Sequence, residues 1–323
     1  MHVYEQARPS THSVANATSP ELQCCRTARL NSLLMEGLPT LPSYVFEINT
    51  LLGSPSVDLD RLGKVIRNDP SLSAQVLRMC NSASLNDRRR VLSVEEAAIL
   101  MGSERLRTLV LTCSIMEFTG RQLPRSEVRS FWRHSFMTGM LSERIAKWIG
   151  YTESEQAYLA GLLHDVGTLP LLMVAQQEEF KSGQAEWGRW GGTLEDEKDF
   201  FGMSHCEVGR RIGQFWNFPH SFIDVFENHH HPARSICDPG LVGIVAAAEH
   251  FCEVRSLDYW IEDQELAETA RSSEDEFLSA CLPRLDRTAC WELTEMLETE
   301  YLHLLPAIEF NNSAEHPAAR RNG

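Results

Sequence analysis

Residues 1–30 are rich in Ser, Thr, Ala and Asn and carry no hydrophobic periodicity, which predicts a disordered tail. Beyond it the apolar positions recur at helical spacing. Val45, Ile48, Leu51 and Leu52 form one stripe, broken by Gly53 and Pro55. Leu59, Leu62, Val65 and Ile66 form a second, which ends before Asp69-Pro70 because a residue preceding proline is pushed away from helical torsions. Leu72, Val76, Leu77 and Met79 predict a helix over 71–80, with Asn81 placed to bond the backbone at its exit. Ser93 and Glu96 have capping-box spacing and open a helix running to Gly102. Residues 105–118 are apolar enough for a buried helix, with a local strand as the alternative at Leu109–Thr112. Residues 120–125, with Pro124, form a joint before a long helix over 127–148.

No period-two alternation persists anywhere, so the predicted fold class is all-α, without a substantial sheet. The expected organisation is a tail over 1–30, an N-terminal helical part over 31–120, a second helical part over 121–255, a C-terminal helical extension over 256–310 and a tail over 311–323. Within the extension, 253–276 is acidic and polar, and a helical block follows over 275–305.

Charge supports the boundary near residue 120. Residues 31–130 carry 12 basic and 11 acidic side chains, whereas 131–323 carry 15 and 32. The net charge of −15 over 323 residues disfavours broad electrostatic binding to nucleic acid. The densest basic group, Arg88–Arg90 with Arg78, Arg105 and Arg107, therefore reads as solvated surface. The longest apolar runs, such as Leu169–Ala175, fall short of the roughly 18 residues a bilayer helix needs. Nine cysteines without a CxxC pair fit reduced thiols. A cytoplasmic protein is expected.

Five histidines sit where a metal site would place them. His134 shares the stripe of Met137, Leu141, Ile145 and Trp148. His164-Asp165 closes the apolar run Tyr158–Leu163, which sets a nitrogen and an oxygen ligand together at a helix end. Ser204 and Glu207 have capping-box spacing and put His205 in a first turn. His229 follows Phe222, Val225 and Phe226 on an inward stripe, with His230 adjacent, and Glu249 lies on the stripe of Val242, Val245 and Ala246. Neutral imidazoles and carboxylates converging from separate helices suit a divalent ion such as iron, manganese or zinc. Taken singly, a histidine on an apolar face is more often a satisfied core residue, and Asp165 can simply cap the following turn. His220, His250 and His303 have no such support.

The ordered segments LPTLPSY, IRNDPSLSAQVLRMCNSAS, SVEEAAILMG, FWRHSFMTGMLSERIA, YLAGLLHDVGTLPLL, SHCEVGRRIGQFWNFP and ENHHHP together resemble an HDOD domain, over about residues 36–255. This family is the regulatory relative of the HD metal-dependent phosphohydrolases. The resemblance implies an N-terminal helical bundle packed on an HD-like helical bundle. It matches His134 to the first histidine of the HD pattern, His164 and Asp165 to the doublet, and His205, His229 and His230 to the later histidines. Glu249 stands where the pattern ends in aspartate. The cyclic dinucleotide phosphodiesterase branch would read HHE…GYP where this chain has His229-His230-His231-Pro232, which disfavours that activity.

The expected function is bacterial signal transduction by binding a signalling protein or a small-molecule or nucleotide ligand, without catalysis. Neither nucleic acid nor a membrane is an expected partner, and a homodimer is compatible with the surface tryptophans. The alternative is a metal-dependent phosphohydrolase with His164 and Asp165 at its centre and Arg133, Arg210 and Arg234 as candidate phosphate or ligand contacts.

Overall fold

The structure is a computed structural model. It describes residues 20–35, individual positions between 61 and 81, 91–102, individual positions between 106 and 123, then 124–182, 193–255 and 274–310. The expected helix over 45–52, the acidic stretch 256–273, the Arg88–Arg90 cluster with Arg78, Arg105 and Arg107, and the tails 1–19 and 311–323 lie outside the described residues. Every described element is helical, with no strand among the described residues.

Residues 20–30 correct the expectation of a tail, because Pro20–Met35 is a helix (α1). Its aliphatic face is only Leu30 and Leu34, too short a stripe to register as periodicity. Polar groups complete the docking. Thr27 Oγ1 donates to the Phe201 carbonyl at 2.7 Å, Gln23 Nε2 donates to the Lys198 carbonyl at 2.9 Å, and the Arg26 guanidinium lies 3.5 Å from the centre of the Phe200 ring.

In the N-terminal part, Arg61, Lys64, Ile66, Ser73, Ala74, Val76 and Leu77 are helical, as their stripes predict. Asn81 clamps the chain at the exit: its Nδ2 donates to the carbonyls of Leu77 and Val91, and its Oδ1 accepts from Val91 N–H at 2.7 Å. Helix α2 (Val94–Met101) opens on Ser93 Oγ accepting from Glu96 N–H. Glu96 reaches back to Leu92 N–H, one residue earlier than the usual box. Gly102 ends the helix at φ +77°, in the left-handed region that glycine adopts freely. Leu106, Leu109, Val110 and residues 112–115 are helical and buried, which decides against a strand there.

The second part is built on α3 (Arg125–Trp148) and α4 (Ser154–Leu163), which cross with their backbones in contact. A Cβ on Gly139 would stand 2.8 Å from the Tyr158 carbonyl oxygen, and one on Gly161 3.0 Å from Gly139 Cα. After α4 the chain turns through His164–Gly167 into α5 (Thr168–Ser182). By length and composition, Ser154–Gln176 alone among the described residues could cross a membrane, but it is wholly buried in the bundle. Then follow α6 (Leu194–Phe201), α7 (His205–Phe215), α8 (His220–Asn228), a 3₁₀ turn (Pro232–Arg234) and α9 (Pro239–Val254).

The expected C-terminal helical block consists of two helices, α10 (Glu274–Cys281) and α11 (Arg287–Phe310). Pro283 breaks it, since the residue before proline cannot stay helical at low cost. Helix α10 packs on α9, with the Cys281 carbonyl against Gly243, and α11 packs on α3, with Arg144 and Glu300 paired at 3.2 Å.

Candidate metal centre

Three helix ends and two helix interiors bring the seven sequence-predicted groups together. His134 points inward from α3, His164 and Asp165 occupy the α4–α5 turn, His205 is the first residue of α7, His229 and His230 follow α8, and Glu249 sits within α9. Local rules fix each one. Ser204 Oγ accepts from Glu207 N–H while Glu207 reaches back to Ser204 N–H, which locks the first turn of α7. Asp238 caps α9 by accepting from Leu241 N–H at 3.0 Å.

The imidazoles face one another through Nε2. His205 Nε2 lies 3.2 Å from His229 Nε2 and 3.1 Å from His230 Nε2, and His134 Nε2 lies 3.3 Å from His164 Nε2. Three of the opposite nitrogens are engaged elsewhere. Nδ1 of His164 donates to the Gly161 carbonyl at 2.7 Å, and Nδ1 of His229 donates to the Val225 carbonyl at 2.9 Å. His205 Nδ1 meets the Glu197 carboxylate at 2.9 Å. The carboxylates complete the cluster. Asp165 Oδ1 is 3.2 Å from His205 Nε2 and 3.6 Å from His229 Nε2, and Glu249 is 3.7, 3.8 and 3.5 Å from Nε2 of His164, His229 and His230.

This donor set fits a cation. A neutral imidazole whose Nδ1 donates its proton has a bare lone pair at Nε2, so two such rings facing at 3.2 Å repel unless a proton or a metal ion lies between them. Two nitrogens held about 2.1 Å from one ion at angles between square and tetrahedral stand about 3.0–3.4 Å apart, the range observed. The Nδ1 partners fix ring orientation in the manner of ligating histidines. His164, Asp165, His229 and Glu249 form one group of convergent donors, and His205, Cys206, His229 and His230 another, with His229 in both.

Electrostatics divides the rings. Burial and the neighbouring His164 lower the His134 pKa to about 4, which leaves a neutral ring at pH 7. Burial likewise holds His230 well below the ordinary value. Burial opposes charging of His164 as well, but Asp165 and Glu249 outweigh it and raise the pKa to about 9. Both carboxylates ionise well below their usual range despite burial, Asp165 through His205 and His164, and Glu249 through His230 and His229. Burial opposes charging of His205 too, but Cys206, Glu197 and Asp165 hold its pKa well above the ordinary value. The pocket thus sets two ionised carboxylates against two protonated imidazoles, whose protons an incoming ion would displace.

The arginines fall elsewhere. Arg210 pairs with Glu227 at 3.3 Å, Arg234 is exposed on the turn after His231, and Arg133 is partly buried on the side of α3 that faces Tyr301 of α11. His250 is a core residue stacked 4.2 Å from Phe277, with burial lowering its pKa to about 3. His220 and His303 are exposed.

Sequence reasoning missed three groups. Glu197 orients His205, binding both its Nδ1 and its backbone N–H, yet it sits in an acidic run that reads as solvated surface. Cys206 Sγ lies 3.4 Å from His205 Nε2. Asp224, 5% exposed, organises the loop between His230 and α9: it accepts from Asn228 Nδ2, Ser235 Oγ and the N–H groups of Cys237 and Asp238. Burial opposes its ionisation, but these donors hold its carboxyl below the usual aspartate range.

Residues 38–232, more than half of the chain, match the HDOD domain family. The chain belongs to that family. An HDOD domain protein of unknown function from Geobacter sulfurreducens has the same fold, with a TM-score of 0.61 at 24% identity, covering 87% of this chain and 97% of that one. A candidate phosphohydrolase from Shewanella amazonensis superposes with a TM-score of 0.57 at 23% identity, covering 84% and 94%. An uncharacterised protein of Treponema pallidum (strain Nichols) is 26% identical over 199 residues, which are 61% of this chain and 38% of that longer relative. The HDOD match ends at Pro232, so Glu249 and α9–α11 lie beyond it, as α1 lies before it.

Proposed function

We propose that this HDOD protein serves bacterial signal transduction in the cytoplasm, holds a divalent metal in its histidine cluster, and acts by binding a signalling protein or a small ligand rather than by turnover. The metal reading rests on one observation: Nε2 atoms facing at 3.1–3.3 Å, with Nδ1 of His164, His205 and His229 engaged elsewhere. His134, His164, Asp165, His205, His229, His230 and Glu249 would hold the ion, and their nitrogen and oxygen donors suit iron, manganese or zinc. Support for a binding role comes from family membership and from Glu249, whose extra methylene stands where catalytic relatives carry aspartate. The described cysteines are free thiols, in keeping with a reducing compartment.

A second reading, a metal-dependent phosphohydrolase, is favoured by Asp165 Oδ1. At 3.2 Å from His205 and 3.6 Å from His229, this one atom spans the two donor groups. A bound metal there would lower the pKa of a coordinated water and supply a nucleophile for a phosphate ester. His164 and Asp165 would orient that water, and Glu197 would fix His205.

Elemental mass spectrometry on protein purified without a histidine tag or chelator tests the metal reading. Near-stoichiometric iron, manganese or zinc, lost in His164→Ala/Asp165→Ala, is the expected result. Negligible metal in folded wild-type protein refutes it. Turnover of phosphomonoesters or phosphodiesters by the loaded protein would replace the binding role with the hydrolase.

A further inference from the structure

Within the cluster, the donors divide by chemical softness. The group His164, Asp165, His229 and Glu249 offers only nitrogen and oxygen, whereas His205, His229, His230 and Cys206 add a sulfur. Cys206 is the second residue of α7, 5% exposed, in a turn locked by the Ser204–Glu207 capping box. From His205 Nε2, the three other donors of this group lie at 3.1 Å (His230), 3.2 Å (His229) and 3.4 Å (Cys206 Sγ). Around a tetrahedral zinc ion, with nitrogens at about 2.1 Å and sulfur at about 2.3 Å, nitrogen-to-nitrogen separations are about 3.4 Å and nitrogen-to-sulfur about 3.6 Å. The observed set follows the same order and differs by a few tenths of an ångström. Glu197 holds His205 by Nδ1 and by its backbone N–H, and Val225 holds His229, so two of the three rings are oriented before any ion arrives.

We infer that Cys206 is a metal ligand, and that His205, His229, His230 and Cys206 form a three-nitrogen, one-sulfur site selective for a borderline-soft tetrahedral ion of the zinc class. This rests on the metal reading above and deepens it, because the two donor groups then differ in preference: hard ions such as manganese or ferrous iron at the carboxylate group, zinc at the thiolate group. On binding, the sulfur–metal bond forms as the thiol proton leaves to solvent. Among the other described buried cysteines, Cys252 contacts Thr138 and Cys290 contacts Ser279, neither of them within the cluster.

Cobalt(II) in place of zinc reads the ligand directly, because thiolate coordination adds a sulfur-to-cobalt charge-transfer band in the near ultraviolet that nitrogen and oxygen ligands lack. The full-length protein, stripped of metal and titrated with cobalt(II), should show this band with intense tetrahedral visible absorption. The band should vanish in Cys206→Ser and persist in Cys252→Ser, with circular dichroism confirming that each variant is folded. Cobalt uptake without the band in the wild type overturns the inference and leaves the metal reading standing, whether or not the variants fold. Survival of the band in Cys206→Ser does the same. Failure to take up cobalt or zinc at all overturns both together.

Discussion

Gly167 is where a single methyl group most directly tests how the cluster is built. It ends the His164–Gly167 turn and lies against the first turn of α7. A Cβ there would overlap the His205 carbonyl oxygen and stand 2.5 Å from Gly209 N and 2.9 Å from His205 C. All three are backbone atoms of a capped helix, so no side-chain rotation relieves the contact. Overpacking of this kind costs about 1–3 kcal/mol, and the rigidity of both partners puts Gly167→Ala near the upper end. Gly209→Ala is the matched control: its Cβ would meet Phe226 Cβ at 3.3 Å, which a shift of a few tenths of an ångström relieves, so its cost should be smaller, about 1 kcal/mol.

Urea unfolding followed by tryptophan fluorescence gives both values, and metal content of the same samples gives a second axis. Because the clash pushes His205 away from Asp165, Gly167→Ala should lose metal even where it remains folded. A Gly167→Ala protein within about 0.5 kcal/mol of wild type, or one less affected than Gly209→Ala, would refute the close approach of the turn to α7.

Four other outcomes follow from named contacts. Glu197→Gln removes the charge that orients His205 and should weaken metal binding by about 10–100-fold, with little change in helical content, as read by competition with a chelator. Asp224→Ala leaves the Cys237 and Asp238 amides without their acceptor and should cost about 2–4 kcal/mol in chemical unfolding. Since the folded Asp224 pKa is depressed, its ionic contribution is present above the unfolded value of about 3.9 and is lost as pH falls below it towards the folded value. Wild type should therefore lose more stability than Asp224→Asn across that acid window. Asn81→Ala removes three backbone bonds and should cost about 2 kcal/mol, and Asn81→Asp, whose carboxylate turns an acceptor towards the Leu77 and Val91 carbonyls, should cost at least as much in the same assay.

How much of this was readable in the sequence follows from what kind of force places each residue. The helices α2, α3, α7, α8 and α9 emerge from stripes and caps because their burial is one-sided or their ends carry a local signal, and α4 emerges from an unbroken apolar run. His134, His229 and Glu249 lie on such stripes, His164-Asp165 closes an apolar run, and His205 follows a cap, so the cluster could be assembled before its geometry was known. Helix α1 could not be read, because its apolar face is short and the rest of its docking runs through Thr27, Gln23 and Arg26. The break at Pro283 was passed over although proline announces it.

The harder failures share a cause. Glu197, Cys206 and Asp224 each satisfy a partner chosen by tertiary structure, and nothing in their immediate neighbours separates them from a solvated glutamate, a reduced thiol or a helix-surface aspartate. Glu197 illustrates why this matters for function. Helix α6 carries it to His205, and α1, which precedes the family match, bonds the carbonyls of Lys198 and Phe201 on that same helix. The orientation of the His205 ring is thereby tied to a helix outside the motif series. The motifs identify the donors, while less patterned parts of the chain hold them in place.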